Sequence, residues 1–169
     1  MTAAVITRRA SHVLDPDTLR DHLDVLYRAA WALCGSRPDA EDLVQTTFVH
    51  VLKRPRLIRP GNERAYLLRA LRNTYSTGYR TLARRPTIVP LLEDEPDPAD
   101  EPASISSREL MEAIATAPPR YRDAVIAVDV LGLSYREAAR SMGTREETIA
   151  TRLHRGRLHV ASELTARGV

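Results

Sequence analysis

Cysteine is almost absent from the sequence: Cys34 is the only one among 169 residues. A single cysteine excludes an internal disulfide and any zinc cluster built from several thiolates. The five histidines form no HxxxH or HxH pair, so we expect no metal site. Aromatic residues make up only 5% of the chain and hydrophobic residues 43%, a composition typical of a globular protein.

Long apolar runs are also missing. No segment approaches the roughly 20 apolar residues of a membrane-spanning helix, and no apolar stretch follows Arg8 and Arg9 as it would in a secretory signal. We therefore expect a cytoplasmic protein without membrane insertion. The sequence has no GxxxxGKS, GxxxxGKT, GxGxxG or GxSxG motif, so we expect neither an enzyme nor a cofactor.

The net charge of +3 conceals three differently charged segments. Residues 1–85 carry 15 basic and 8 acidic side chains, residues 86–108 carry 1 and 6, and residues 109–169 carry 9 and 8. Their net charges are therefore +7, −5 and +1. This segregation means that the charge is not a property of one uniform surface.

Apolar periodicity predicts three helices in the first half of the chain. One runs from Pro16 to Cys34, because an Asp-Pro start precedes a stripe of apolar residues and Gly35 favours a stop. A second helix is predicted over residues 38–52, and a third over residues 63–84 after a basic, proline-bracketed loop.

Prolines and acidic residues interrupt this pattern over residues 86–107. Proline removes amide donors and like charges repel, so we expect a flexible, extended linker. The linker separates two predicted domains, residues 1–85 and residues 108–169. No alternating apolar pattern and no Asn-Gly or Asp-Gly turn is present, so the predicted fold is all-α, with two small helical domains.

Two successive capping boxes mark the C-terminal domain. Ser134 and Glu137 open one predicted helix, Thr144 and Glu147 open a longer one, and Gly143 lies in the turn between them. A short helix, a tight turn and a longer basic helix form the pattern of a DNA-binding helix-turn-helix. The helix before this motif is predicted over residues 121–131, with Tyr121 on its apolar face.

The second helix of the motif carries the candidate DNA-binding residues. Its apolar positions Ile149, Leu153, Gly156 and Val160 are predicted to face the first helix, which leaves a basic face outside. Arginine suits a major groove because its fork holds a guanine edge or a phosphate, although a merely solvated face remains the alternative. The candidates on this recognition helix are Arg145, Thr148, Thr151, Arg152, His154, Arg155 and Arg157.

Several motifs resemble a known family. Ala117-Pro-Pro-Arg-Tyr-Arg122, Gly132-Leu-Ser-Tyr-Arg-Glu-Ala-Ala139 and Thr148-Ile-Ala-Thr-Arg-Leu-His-Arg-Gly-Arg157 are similar to region 4 of bacterial RNA polymerase sigma factors of the extracytoplasmic-function (ECF) class. Asp39-Ala-Glu-Asp-Leu-Val-Gln-Thr-Thr-Phe48 and Tyr66-Leu-Leu-Arg-Ala-Leu-Arg-Asn73 resemble region 2 of the same factors.

This resemblance implies a sigma factor that binds core RNA polymerase and directs promoter recognition and transcription initiation. It implies that residues 1–85 bind core polymerase and the −10 element, that residues 108–169 bind the −35 element, and that an anti-sigma protein is a further partner. The Asn73–Arg80 string resembles a subgroup that answers thiol-oxidative stress. The acidic linker would thread the polymerase cleft, although a soluble tether explains its composition equally well.

Two further residue sets follow from the resemblance. Opening a promoter requires basic, amide and aromatic groups that capture unpaired bases, although Tyr75 is equally well explained as a core aromatic. The candidates for −10 binding and opening are Arg59, Asn62, Arg69, Arg72, Asn73, Tyr75, Arg80 and Arg84. The candidates for core polymerase binding are Asp39, Glu41, Asp42, Leu43, Gln45 and Phe48.

A stand-alone helix-turn-helix regulator with an N-terminal sensor or dimerisation domain is the alternative function. Residues 39–48 and 64–80 favour the sigma factor, because a sensor domain has no need of a basic helix that carries tyrosine, asparagine and arginine.

Overall fold

The computed structural model describes residues 11–82, with side chains up to residue 78, and residues 105–168. The predicted all-α fold class is confirmed. The helices are α1 (Pro16–Arg20), α2 (Leu23–Cys34), α3 (Arg37–Lys53), α4 (Glu63–Leu82), α5 (Ser107–Ala115), α6 (Pro119–Val125), α7 (Tyr135–Met142) and α8 (Glu146–Ala166). None of these described helices is long and apolar enough to cross a membrane.

The single helix predicted from Pro16 to Cys34 is wrong, because the structure breaks it into α1 and α2. His22 has φ −106° and ψ 0°, outside the helical region, and its amide bonds the Leu19 carbonyl at 3.1 Å, a bond of the tighter 3₁₀ type. The start and the stop are as expected. Asp15 caps α1, and Gly35 ends α2 with φ +77°, a left-handed conformation that glycine adopts without a steric penalty.

Two short strands, β1 (His12–Val13) and β2 (Leu57–Ile58), pair in antiparallel register. The sequence did not predict them, because two residues are too few to form an alternating pattern. The pair holds the N-terminal segment beside the loop that precedes α4. Ile58 on β2 is buried, whereas its neighbour Leu57 is 75% exposed.

The helix predicted over residues 121–131 also differs from the structure. In this part of the chain the α-helix α6 ends at Val125, and the chain continues as a π-helical turn over Ile126–Val130. The Leu131 amide then bonds the Ile126 carbonyl at 3.0 Å, and Gly132 ends the segment with φ +69°. A π turn inserts one residue and shifts the following side chains around the axis. It leads into the buried residue Leu131.

The two halves of the chain share one hydrophobic core. Helix α2 packs against α3 on one side and α5 on the other, and α4 packs against α7. At the α2–α5 contact, a Cβ on Gly35 would lie 3.2 Å from Ala115 Cβ, so the helices approach closely. Most of the predicted linker lies outside the described residues, but Ser107, its predicted last residue, already belongs to α5, which Ser106 caps.

Candidate nucleic-acid interface

Helices α7 and α8 form the predicted helix-turn-helix. Ser134 and Glu137 make the expected capping box at the start of α7, and this pairing lowers the pKa of the Glu137 carboxyl. Gly143 ends α7 with φ +63°, and the Thr144 amide bonds the Ala139 carbonyl at 2.9 Å. The turn between the helices is therefore short and held by backbone bonds.

The second predicted capping box is wrong. Arg145, not Thr144, is the N-cap residue of α8, and its side chain makes no capping hydrogen bond. The Thr144 amide is engaged in closing the turn onto α7. Glu146 and Glu147 occupy the first turn of α8, where their negative charge interacts favourably with the helix dipole.

The apolar side of α8 is buried as predicted, but not all of it faces α7. Ile149, Leu153 and Val160 are buried, and Val160 lines a cavity with residues of α5 and α6. Gly156, however, faces α6 and not α7: an added Cβ would lie 2.5 Å from Val125 Cγ2 and 3.0 Å from the Tyr121 carbonyl oxygen. Helices α6 and α8 therefore touch at a point where only glycine fits without rearrangement.

One flank of α8 gathers four of the predicted recognition residues. Thr148, Thr151, Arg152 and Arg155 follow the i, i+3, i+4, i+7 spacing of a single helical face. Thr151 and Arg155 are exposed, and Thr148 and Arg152 are half-buried. The exposed residues Arg145 and His154 lie near this flank, at the start of α8 and beside it.

Tyr121, at the start of α6, is a neighbour of this flank, although its position in the sequence predicts that it lies on the apolar face of its helix. Its hydroxyl accepts a hydrogen bond from Arg155 Nη1 at 3.0 Å. That bond and the charges of Arg155, Arg120 and Arg152 lower the pKa of the Tyr121 hydroxyl. The Ala117–Arg122 motif contains Tyr121, but a linear pattern does not reveal that α6 meets α8 here.

Arg157 is not brought together with the other candidates. Two residues turn a helix by about 200°, so Arg157 lies across the axis from Arg155. Its guanidinium pairs with Asp129 through Nε and Nη2, at 3.0 and 2.6 Å. This contact raises the pKa of Arg157. The pair joins α8 to the π-helical turn.

The predicted opening residues surround two basic depressions on the first half. Arg69 and Asn73, both exposed on α4, line a groove of about 560 Å³ together with Lys53, Arg54 and Arg56. A second cleft, of about 400 Å³, is lined by Arg59, Asn62 and Arg69. The second cleft also contacts Arg140 of α7, so both halves of the chain form its walls.

Arg72 and Tyr75, also predicted for opening, are engaged by the second half of the chain instead. Arg72 Nε donates to the buried Asp123 carboxylate at 2.9 Å, and Arg72 Nη2 lies 2.7 Å from the same oxygen as an ion pair. The guanidinium carbon of Arg122 lies 5.2 Å from the centre of the Tyr75 ring, in cation–π range. The side chains of the predicted Arg80 and Arg84 lie outside the described residues.

The predicted polymerase-binding residues lie along α3. Asp39, Glu41, Asp42 and Gln45 are exposed, Phe48 is half-buried, and Leu43 is buried. A largely apolar groove of about 310 Å³ lies beside them, lined by Asp39, Asp42 and Leu43 and by residues of α2 and α4. The arrangement is an apolar groove with carboxylates at its edge.

No group of three or more His, Cys, Asp or Glu side chains within residues 11–82 and 105–168 is arranged to hold a metal ion. The basic grooves and the flank of α8 instead present guanidinium, amide and hydroxyl donors, which are the groups that bind a polyanion.

Comparisons with known proteins agree with this geometry. Residues 18–85 match the family model for sigma-70 region 2, and residues 107–160 match the model for sigma-70 region 4. The chain is 30% identical over 162 residues to the ECF RNA polymerase sigma factor EcfG of Rhodopseudomonas palustris, with 90% of this chain and 88% of the relative covered. The chain belongs to the ECF class of RNA polymerase sigma factors, which direct transcription initiation.

A second relative is the ECF RNA polymerase sigma factor SigE of Mycolicibacterium smegmatis, 35% identical over 148 residues, or 83% of this chain. This chain spans 58% of the length of that relative.

Among solved structures, the fold is similar to that of the sigma factor RpoE in complex with the anti-sigma factor NepR, from Bartonella quintana. The TM-score is 0.68 at 24% identity, with 89% of this chain and 98% of that chain covered. It is also similar to CnrH in complex with the cytosolic domain of CnrY, with a TM-score of 0.55 at 21% identity over 89% of this chain and 86% of that chain.

Proposed function

We propose that this chain binds core RNA polymerase and directs it to promoters through two DNA-binding surfaces, one on each half. The observation that carries the proposal is the pairing of a basic groove beside α4 with the basic flank of a helix-turn-helix. Each lies within a segment that matches a sigma-70 region. A stand-alone regulator needs the second surface but has no use for the first.

The two regions of the chain have different binding roles. Residues 1–85 bind core polymerase and the −10 element, residues 108–169 bind the −35 element, and residues 86–107 join them. The family-model matches over 18–85 and 107–160 support this division. A linker segment with a net charge of −5 suits a basic channel built for nucleic acid.

The −10 surface consists of the loop before α4 and the exposed side of α4. Arg59 and Asn62 line the cleft that receives an unpaired base, and Arg69 and Asn73 line the adjoining groove. Arginine and asparagine suit this role because they bind both the backbone and the base edges of a single strand. Arg72, Tyr75, Arg80 and Arg84 are the further residues proposed to bind the single strand, Arg72 and Tyr75 once the second half of the chain releases them.

The −35 surface is the flank of α8 that carries Thr148, Thr151, Arg152 and Arg155. In a helix-turn-helix the second helix enters the major groove, where arginine holds a guanine edge bidentately. Arg145 and His154 contact the adjoining backbone phosphates.

The polymerase-binding surface is the exposed side of α3. Asp39, Glu41, Asp42 and Gln45 meet basic groups of the polymerase, the groove lined by Leu43 accepts an apolar contact, and the half-buried Phe48 adds apolar surface on the same helix. Charged rims around apolar centres are typical of specific protein interfaces.

Regulation by an anti-sigma protein is part of the proposal. Of the two solved structures named above, one is the sigma factor RpoE in complex with the anti-sigma factor NepR, and in the other CnrH is in complex with the cytosolic domain of CnrY. The chain acts where the polymerase and the chromosome are, in the cytoplasm, and it contributes binding energy and not catalysis.

Transcription in vitro tests the function. The purified chain is added to core RNA polymerase with a pool of genomic promoter fragments, and initiation sites are mapped by sequencing the transcripts. We expect start sites that require both the chain and core polymerase. DNA binding without any core-dependent initiation would favour the stand-alone regulator.

The polymerase contact is tested separately with Asp42→Lys. Reversing this charge at the edge of the α3 groove is expected to weaken binding to core polymerase at least tenfold, measured by fluorescence anisotropy of the labelled chain. Asp24→Lys is the matched control, because Asp24 is also an exposed aspartate near the start of a helix but lies on α2. Equal affinities for the two variants would exclude this surface.

A further inference from the structure

Four residues at the contact between α6 and α8 form an unusual cationic cluster. Arg155 donates to the Tyr121 hydroxyl at 3.0 Å, and its guanidinium carbon lies 5.9 Å from the centre of the Tyr121 ring. Arg120 lies 5.5 Å from the centre of the same ring. Arg152 is the third guanidinium near Tyr121, and its charge helps to lower the pKa of the hydroxyl.

The cluster is held in place by the close approach of the two helices. The Tyr121 carbonyl oxygen would lie 3.0 Å from a Cβ on Gly156, so the backbone of α6 rests directly on α8. Tyr121 is half-buried, and its hydroxyl lies beside Arg155 on the exposed flank. The tyrosine thus supports the long Arg155 side chain.

The charges of this cluster are not neutralised, unlike those of other arginines in the same half. Arg136 pairs with Glu146, Arg157 with Asp129 and Arg167 with Glu112. In contrast, Arg120, Arg152 and Arg155 form no ion pair with a carboxylate in the part of the chain that the structure describes. Arg120 and Arg155 beside the Tyr121 ring, with Arg152 on the same flank of α8, therefore carry uncompensated positive charge that can attract an anion.

We propose that the start of α6 is part of the −35 interface: Tyr121 is a positioning residue that holds Arg155 towards a base edge, and Arg120 binds an adjacent backbone phosphate. Holding the guanidinium before binding reduces the side-chain entropy lost when it meets DNA. The hydroxyl acts through Arg155, whose Nη1 donates to it. The inference rests on the proposed role of α8.

The test uses holoenzyme assembled from the full chain and core polymerase. A duplex is first selected by the wild-type holoenzyme from a pool randomised at the −35 element, and a scrambled duplex of the same composition serves for comparison. Tyr121→Phe keeps the ring and removes the hydroxyl. We expect its affinity for the selected duplex to fall about threefold to tenfold, with little change for the scrambled duplex and an unchanged melting temperature.

The coupling between the two residues distinguishes positioning from simple contact. The double variant Tyr121→Phe/Arg155→Ala is expected to bind like Arg155→Ala alone, because the hydroxyl acts through Arg155. Arg120→Ala is expected to weaken both duplexes equally and to reduce the slope of log affinity against log salt by about one. Tyr27→Phe and Arg167→Ala, which lie outside the cluster, serve as matched controls and are expected to bind like the wild type.

The positioning role is overturned if Tyr121→Phe keeps wild-type affinity and discrimination, or if its loss adds in full to that of Arg155→Ala. An unchanged salt slope for Arg120→Ala overturns the phosphate contact. If the wild-type holoenzyme selects no duplex at all, the proposed function fails before any variant is measured, so the two failures are distinguishable.

Discussion

Asp123 on α6 accepts a hydrogen bond from Arg72 Nε on α4 at 2.9 Å, with Arg72 Nη2 at 2.7 Å from the same carboxylate oxygen, and this ion pair ties the two halves of the chain together. Asp123 is only 8% exposed. Two backbone contacts reinforce the junction, since Arg64 donates to the Leu131 carbonyl at 3.1 Å and Arg122 donates to the Leu33 carbonyl at 3.4 Å. Arg72, which is expected to bind promoter DNA, is thereby paired with a carboxylate of the same chain.

Replacing Asp123 with asparagine should release Arg72. The substitution keeps the shape but removes the charge that holds the guanidinium, at a cost of about 2 kcal/mol in the contact between the halves. We expect the free chain to bind a single-stranded oligonucleotide several-fold more tightly, measured by fluorescence anisotropy, and its radius of gyration to increase in small-angle scattering. Asp129→Asn is the control, since its partner Arg157 lies in the same half. Wild-type behaviour of Asp123→Asn would mean that the pair does not restrain Arg72.

Arg155 and Arg157 should behave differently although they are two positions apart. Arg155→Ala is expected to weaken binding to the −35 duplex by about 1–3 kcal/mol, because it lies on the flank of α8 proposed to enter the groove. Arg157→Ala is expected to affect thermal stability slightly and DNA affinity little, because its guanidinium is paired with Asp129. Electrophoretic mobility shifts with holoenzyme measure the DNA affinity of both variants. Equal losses of affinity would contradict the separation of the two faces.

Gly156→Ala should destabilise the protein. The new methyl group would meet Val125 Cγ2 at 2.5 Å and the Tyr121 carbonyl oxygen at 3.0 Å, so α6 and α8 must move apart, at a cost of about 1–3 kcal/mol. Gly78→Ala is the control: that glycine is also helical but has nothing within 4 Å, and alanine there is expected to stabilise by up to about 1 kcal/mol. Urea denaturation measures both changes. A Gly156→Ala protein as stable as the wild type would disprove the close contact.

The Cys34 thiol should react slowly in the folded chain. Burial, assisted by the charge of Asp39, raises the pKa of this thiol from 9.0 to about 12. At pH 8 its thiolate population is then on the order of 100-fold or more below that of the unfolded chain, and alkylation by iodoacetamide should slow in proportion. The unfolded thiol ionises first, so this group's contribution to stability is complete below pH 9 and is lost as the pH rises towards 12. Equal alkylation rates in native buffer and in urea would refute the shift.

The sequence predicted local structure well where local interactions decide it. Ser134 with Glu137 and Gly143 mark the two ends of α7 because capping bonds and a left-handed glycine act within a few residues. Two local predictions were wrong. The Thr144 amide bonds the Ala139 carbonyl, so it is not available to a reciprocal capping box with Glu147, and the helix predicted from Pro16 to Cys34 breaks at His22.

From the sequence, the candidate DNA-binding residues could be predicted only as a set of side chains on one helix, without the partners that other helices bring to them. Helical spacing identifies the flank that carries Arg152 and Arg155, because the period of 3.6 residues is a local property. It does not identify Tyr121, which reaches that flank from another helix, nor the pairing of Arg157 with a residue 28 positions away.

The sequence by itself determined the helical class, the helix-turn-helix and the segregation of charge, because periodicity, capping and charge order are properties of neighbouring residues, and its motifs indicated the family by resemblance. Only the tertiary structure decided which arginines are free and which are paired. Arg72 meets Asp123 from 51 positions away and Arg155 meets Tyr121 from 34, and such contacts depend on how helices pack. A guanidinium binds the acceptor that the fold brings to it, and the fold brings a carboxylate to Arg72 and a tyrosine hydroxyl to Arg155.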